Sequence, residues 1–195
     1  MNIDTNAMIK SILESISQMN HVKPEDIPNI DLYMDQVTTF MDEQLASSKR
    51  HADDKILTKT MINNYAKNHL LPSPNKKKYS KEHILMLIFI YYFKSFLSIS
   101  DIEAILAPIT EQYFKKEDSR NLESIYREVF SMEKEQIELI LQDLNSKHDA
   151  ALNTFTDASE DEREYLQLFS FLSLLSFDVY VKKQLIEKII DQLAE

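Results

Sequence analysis

The sequence predicts an all-α fold, on three observations. It contains no glycine, and the two-residue hairpins of strand-rich folds draw on glycine for positive φ. Apolar residues recur three and four positions apart through most of its length, the spacing of a helix with one buried face. Residues that cap helices stand where several of those stripes begin. With 195 residues the chain can hold one well-buried domain, or a small domain and a second helical one.

The first stripe is Met8, Ile12, Ile16 and Met19, a helix over 5–19. Val22 to Pro28 carries two prolines and ends it. A second helix is expected at about 30–47, with Ile30, Tyr33, Met34, Val37, Phe40, Met41 and Leu45 on one face, followed by a polar loop to Lys55. Thr58 is placed as an N-cap, with Leu57 and Ile62 as a hydrophobic staple. The helix it starts runs from Lys59 to about His69 and buries Met61, Ile62 and Tyr65. Proline disfavours helical geometry in the residue before it, so Leu71-Pro72-Ser73-Pro74 leaves the helix. Asn75 to Tyr79 follows as a loop or short two-stranded wing.

Ser80 is placed to cap a helix to about Leu97. Every residue from Ile84 to Phe93 is apolar, so this helix belongs at the centre of the fold. Ser100-Asp101-Ile102-Glu103 reads as a capping box with Ile99 and Ala104 as its staple, for a short helix over 101–107 that stops near Pro108. Next comes one helix at about 121–146, burying Leu122, Ile125, Val129, Ile137, Ile140 and Leu144. A polar connection follows at 149–159, then a last helix or helix pair over 160–193. There Leu168, Leu172, Leu175, Val179, Lys182, Ile186, Ile189 and Leu193 alternate spacings of four and three, a heptad seam broken only by the lysine. Phe169, Phe171, Leu174 and Phe177 widen the arc. The seam fits either an antiparallel core within one chain or a dimer interface.

Composition narrows the chemistry. Without glycine, phosphate-cradling loops and the nucleophile elbow are excluded. Without cysteine, so are disulfides, zinc ribbons and thiol catalysis. His148-Asp149 resembles part of a phosphohydrolase metal site, but the further ligands cannot be placed. No catalytic group, cofactor or metal site is expected, and the chain does not read as an enzyme. The start MNIDTNAMIK lacks a secretory pattern, and the Ile84–Phe93 run falls short of the roughly 20 apolar residues of a membrane span. A cytoplasmic protein is expected.

The net charge is −10, yet Lys49 to His83 carries nine Lys or Arg against three acids. A positive face on an acidic body can still hold phosphates. Within that window the helix after Thr58 presents Lys59, Asn63, Asn64 and Lys67. Asparagine pairs bidentately with adenine in the major groove, and lysine reads guanine or phosphate. Lys76, Lys77, Lys78 and Lys81 are suited to phosphates, which position a protein without reading sequence. Tyr79 is placed either to anchor the loop in the core or to touch the sugar–phosphate backbone.

Thr58 to Tyr65, Leu70-Leu71-Pro72 and Lys78-Tyr79-Ser80 resemble, in that order, the helix-turn-helix and wing of MerR-type regulators. Asn63 and Asn64 stand where that pattern has Arg-Tyr, His69 where it has glycine, and the wing lacks its glycine. Leu32 to Val37 and Leu57 to Tyr65, with Lys78-Tyr79-Ser80, are similar to signatures of domain-of-unknown-function family 1836 over about residues 27–107. The resemblance implies a MerR-like helix-turn-helix architecture, with or without a small two-stranded wing, and dimerisation through C-terminal helices. The expectation is therefore an N-terminal helix (1–26), a MerR-like helix-turn-helix domain (27–107) and a C-terminal helical region (108–195). The chain is expected to bind double-stranded DNA sequence-specifically, as a homodimer, in transcription regulation. The alternative is a protein-interaction module on the same scaffold that does not bind DNA.

Overall fold

A helix that is apolar on every side has no face to turn to water, and the segment after Ser80 is buried accordingly. In the computed structural model, which describes residues 5–193, helix α4 (Lys81–Phe93) buries every residue from His83 to Ile90. The described residues form helices α1 to α8 and one two-stranded antiparallel sheet. The fold is mostly helical, as composition and periodicity predict. The chain divides into two units, one within His21–Ser131 and Glu187–Glu195, the other within Met1–Asn20 and Met132–Ile186.

The first unit is assembled on α4. Helix α2 (Met34–Gln44) contributes Val37, Phe40 and Met41 to the core, and α3 (Lys59–Lys67) contributes Ile62 and Tyr65. Strand β1 (Leu32–Tyr33) pairs with β2 (Lys78–Tyr79), Leu32 opposite Tyr79 and Tyr33 opposite Lys78. The second helix is thus shorter than 30–47, because its first residues are taken by the sheet. Ile30 and Tyr33, expected on the buried face, are exposed.

Helix α5 (Ile99–Tyr113) corrects the expected 101–107. Its N-cap is Ser98, whose hydroxyl accepts from the Asp101 amide at 3.2 Å while the Asp101 carboxylate accepts from the Ser98 amide at 3.0 Å. The capping box lies two residues earlier than Ser100–Glu103, and Ile99 is exposed rather than stapled. Pro108 does not stop the helix. An interior proline removes one hydrogen bond and costs about 3 kcal/mol. Burial of Ile102 and Leu106 on the same helix offsets a cost of that size at about 1.5–3 kcal/mol per side chain.

Helix α6 (Leu122–Ser131) completes this unit. Tyr126 is fully buried, and its hydroxyl donates to the Val22 carbonyl at 2.7 Å, tying the segment before α2 to α6. Around it Phe89, Phe130 and His21 make a ring cluster, with Tyr126 and Phe130 centroids 4.4 Å apart. The helix expected at 121–146 is interrupted at Met132, where the units also meet in sequence. It resumes as α7 (Glu133–Leu152), and Val129 and Ile140 of its expected buried face are exposed.

In the second unit, Ile9, Ala151 and Phe171 form a core lined by Leu13, Leu168 and Leu175. The buried side of α1 (Thr5–Ser17) is therefore Ile9 and Leu13, one position round from the expected stripe, and Met8, Ile12 and Met19 are exposed. Helix α8 (Glu160–Leu193) is one helix, not a pair. Its heptad seam divides: Leu168 and Leu175 face the core, whereas Leu172, Val179, Ile189 and Leu193 are exposed.

His83 is the buried ionisable group at the start of α4, 1% exposed. Its Nδ1 accepts from the Ser80 amide at 3.0 Å, which places the ring proton on Nε2, a buried atom with no hydrogen-bond partner. Tyr79 and Phe114 meet the ring edge-on. Burial, reinforced by Lys115, lowers its pKa against the opposing pull of the Ser73 backbone, Glu82 and Asp31. A lowered folded-state pKa means that the unfolded chain takes up the proton first. Stability is then complete above about pH 6.5 and falls below it, by at most about 1.4 kcal/mol per pH unit. Urea unfolding between pH 7.5 and 5.5 should show this loss in the wild type and a shallower one in His83→Gln.

Candidate nucleic-acid interface

Helix α3 has two faces because its apolar residues fall together. Ile62 and Tyr65 point into the core, and Lys59, Thr60, Asn63, Asn64, Lys67 and Asn68 are exposed. The Thr58 hydroxyl accepts from the Met61 amide at 3.2 Å, the cap expected of it, and Leu57 and Ile62 are both buried as the staple requires. The helix ends in a Schellman motif: the Leu70 amide bonds the Tyr65 carbonyl at 2.9 Å and the His69 amide bonds Ala66 at 3.4 Å. His69 takes the left-handed position, φ 58°. That is the position a glycine ordinarily fills, so the histidine carries a strain of about 1–2 kcal/mol.

The chain then turns through a second strained segment. Lys76 and Lys77 have φ of 48° and 64°, and the Lys78 amide bonds the Asn75 carbonyl at 2.9 Å. Positive φ at both central residues is the signature of a type I′ turn. Asn75 and Lys78 form an isolated bridge across it, so the hairpin is one bridge long, and β2 finds its longer partner in β1. The two lysines at the tip are exposed.

The expected contact residues separate by environment. Asn63, Asn64, Lys67, Lys76 and Lys77 are exposed, and among the described residues these three lysines make no ion pair. Lys59 is exposed and paired with Asp35 at the start of α2. Lys78 is half-buried, its ammonium 5.2 Å from the Tyr33 ring centre. Tyr79 is 3% exposed, so of its two expected roles it has the core anchor. Lys81 is half-buried and pairs with Glu123 at 2.8 Å.

That pair belongs to a chain of charges running Lys81–Glu123–Arg127–Glu25. Burial works against the Glu123 carboxylate, but hydrogen bonds from Lys81 and Arg127 hold its pKa below the usual value. Lys81 is thus bound into the scaffold between α4 and α6. Lys49 is similarly engaged, donating to Asp42 at 2.7 Å, as is Lys94, which donates to the Ile56 carbonyl at 2.8 Å. Glu123 and Arg127 were legible as an i,i+4 pair, but their partners Glu25 and Lys81 lie too far away in sequence for any local pattern.

The acidic excess lies mostly elsewhere. Residues 21–131 carry fifteen Lys or Arg against sixteen acids, so nearly all of the −10 belongs to the rest of the chain. Among the described residues no helix is long and apolar enough to cross a membrane.

Residues 22–129, more than half of the chain, match the family model described as Domain of unknown function (DUF1836). The matched span ends within α6 and nearly coincides with His21–Ser131 of the first unit. No curated protein and no solved structure matches the chain.

Proposed function

We propose that this chain, which belongs to the DUF1836 family, binds double-stranded DNA through a MerR-like helix-turn-helix and acts as a homodimer in transcription regulation. The observation that carries the reading is the exposed face of α3. Asn63, Asn64 and Lys67 lie outward on a capped helix whose other side is locked into the core. Asparagine and lysine are side chains that read base edges in a major groove. Lys76 and Lys77 add cations suited to phosphates, on a turn that holds both at positive φ. Lys59 contributes once DNA competes with Asp35 for it. Lys78 has its ammonium over the Tyr33 ring and adds its charge beside the turn. Tyr79 and Lys81 support the loop from below.

Dimerisation rests on α8. Tyr165, Phe169, Leu172 and Phe177 are 69, 57, 52 and 66% exposed. Tyr165, Phe169 and Leu172 lie four and three residues apart, so they stack along one side of the helix. Soluble monomers rarely leave so long an apolar stripe in water. A second copy would cover it.

Five lysines at phosphates would give a slope of log K on log salt of about −4 to −5 per protomer. Titrating a labelled random-sequence duplex at several salt concentrations measures it. Lys76→Ala/Lys77→Ala should lower affinity and flatten the slope by about 2, while Lys81→Ala leaves the slope unchanged. A salt-independent signal, or a double variant that binds like the wild type, contradicts the reading and favours a protein-interaction module. Light scattering should return twice the 22.9 kDa chain mass. Phe169→Glu/Leu172→Glu, on exposed positions, should return the chain mass itself.

A further inference from the structure

The turn that carries Lys76 and Lys77 is fastened at its far end to a histidine. Strand β2 passes into α4 at Ser80, and the Ser80 amide donates to His83 Nδ1 at 3.0 Å. The Ser80 hydroxyl lies 2.9 Å from the same nitrogen and donates to Glu82 Oε2 at 2.5 Å. Tyr79, just before it, stands edge-on to the His83 ring at 5.5 Å and pairs with Leu32 of β1. One imidazole thus holds the junction between the turn and the core helix. It does so through an acceptor that exists only while the ring is neutral.

A second proton changes that contact. Both nitrogens of an imidazolium are donors, so Nδ1–H would meet the Ser80 N–H and the bond would be lost. The ring is buried, so water does not solvate the new charge. Charged groups reach it from three sides. Glu82 on α4 and Asp31 beside β1 favour the charge, and Lys115 just after α5 opposes it. Tyr79 on β2 stays a neutral phenol, its own pKa raised by burial, and Phe114 at the end of α5 adds only a ring. Desolvation is the largest of these effects, so the folded ring resists protonation.

We propose that protonation of His83 opens the 73–80 segment and withdraws Lys76 and Lys77 from the turn, while the centre of α4 stays buried. In the open form the ring meets water and titrates near its ordinary value of about 6.5. The open form therefore takes up the proton first. Opening is constant above that pH and grows by up to about tenfold per pH unit below it. Release also relaxes the positive φ that Lys76 and Lys77 hold in the closed turn. That this regulates DNA binding rests on the function proposed above; the opening itself does not.

Amide hydrogen exchange on the full chain at pH 7.5, 6.5 and 5.5, corrected for the intrinsic pH dependence of exchange, reads the opening without DNA. The Lys78 and Ser80 amides donate to Asn75 and His83. Between pH 6.5 and 5.5 they should lose protection by up to about tenfold, while amides of residues 86–90 keep theirs. In His83→Gln the side-chain oxygen can still accept from the Ser80 amide, as in an ordinary capping box, but does not titrate. Protection at 78 and 80 should then be the same at all three pH values. In the wild type the His83 Cε1–H resonance should titrate over the range in which protection falls, a readout that needs no variant. Protection at 78 and 80 that ignores pH overturns the proposal. So does an equal pH dependence in His83→Gln, a loss shared equally by 86–90, or a His83 resonance that does not move while protection falls. On a labelled duplex, affinity should fall from pH 7.5 to 5.5, and by less in His83→Gln. Charging the exposed His51 and His69 would have the opposite sign. Opening without DNA binding at any pH keeps the switch and contradicts the DNA reading; DNA binding with protection that ignores pH does the reverse.

Discussion

The burial of α4 is the constraint from which the first unit follows. His83 to Ile90 form a run with no side left for water, so the neighbouring elements must enclose it. Each buried Leu, Ile, Met or Phe in that run is worth about 1.5–3 kcal/mol. Summed over the run, that exceeds any single local preference elsewhere in the unit. Packing on this scale explains why Pro108 is carried inside α5 and why His69, Lys76 and Lys77 are held at positive φ. In a chain without glycine, left-handed turns must fall on residues that carry side chains. At Lys76 and Lys77 the consequence is two cations at the tip of a turn.

Much of this unit was legible because its signals are local and strong. Thr58 caps α3 as expected, Leu57 and Ile62 are both buried, and Ile62 and Tyr65 form the buried face of α3, with Met61, expected there too, only half-buried. Boundaries were less legible where tertiary contacts compete with local rules. Ser98 and Ser100 both stand before a carboxylate three residues on, and local pattern alone does not separate them. Tyr33 carries the helical spacing of α2, but it and Leu32 are claimed by Lys78 and Tyr79, more than forty residues away.

The C-terminal helices show a different limit. Apolar residues on α8 occur almost all round the helix, so spacing identifies a helix without saying which side is buried. The core takes Leu168, Phe171 and Leu175, and the expected seam is only partly that face. On α1 the error is one position: Met8 and Ile9 are both apolar, and only the packing against Ala151 and Phe171 selects Ile9.

The candidate interface rests on both kinds of information. Sequence supplied the residue types, and the fold separates Asn63, Asn64, Lys67, Lys76 and Lys77, which face outward, from Tyr79 and Lys81, which are built into the scaffold. The most direct test of the account is amide chemical-shift mapping while a short random-sequence duplex is titrated at low salt. Shifts concentrated at residues 59–69 and 75–78, with 132–186 unmoved, are the result this account predicts. Shifts confined to other surfaces, or no shifts at all, would contradict it.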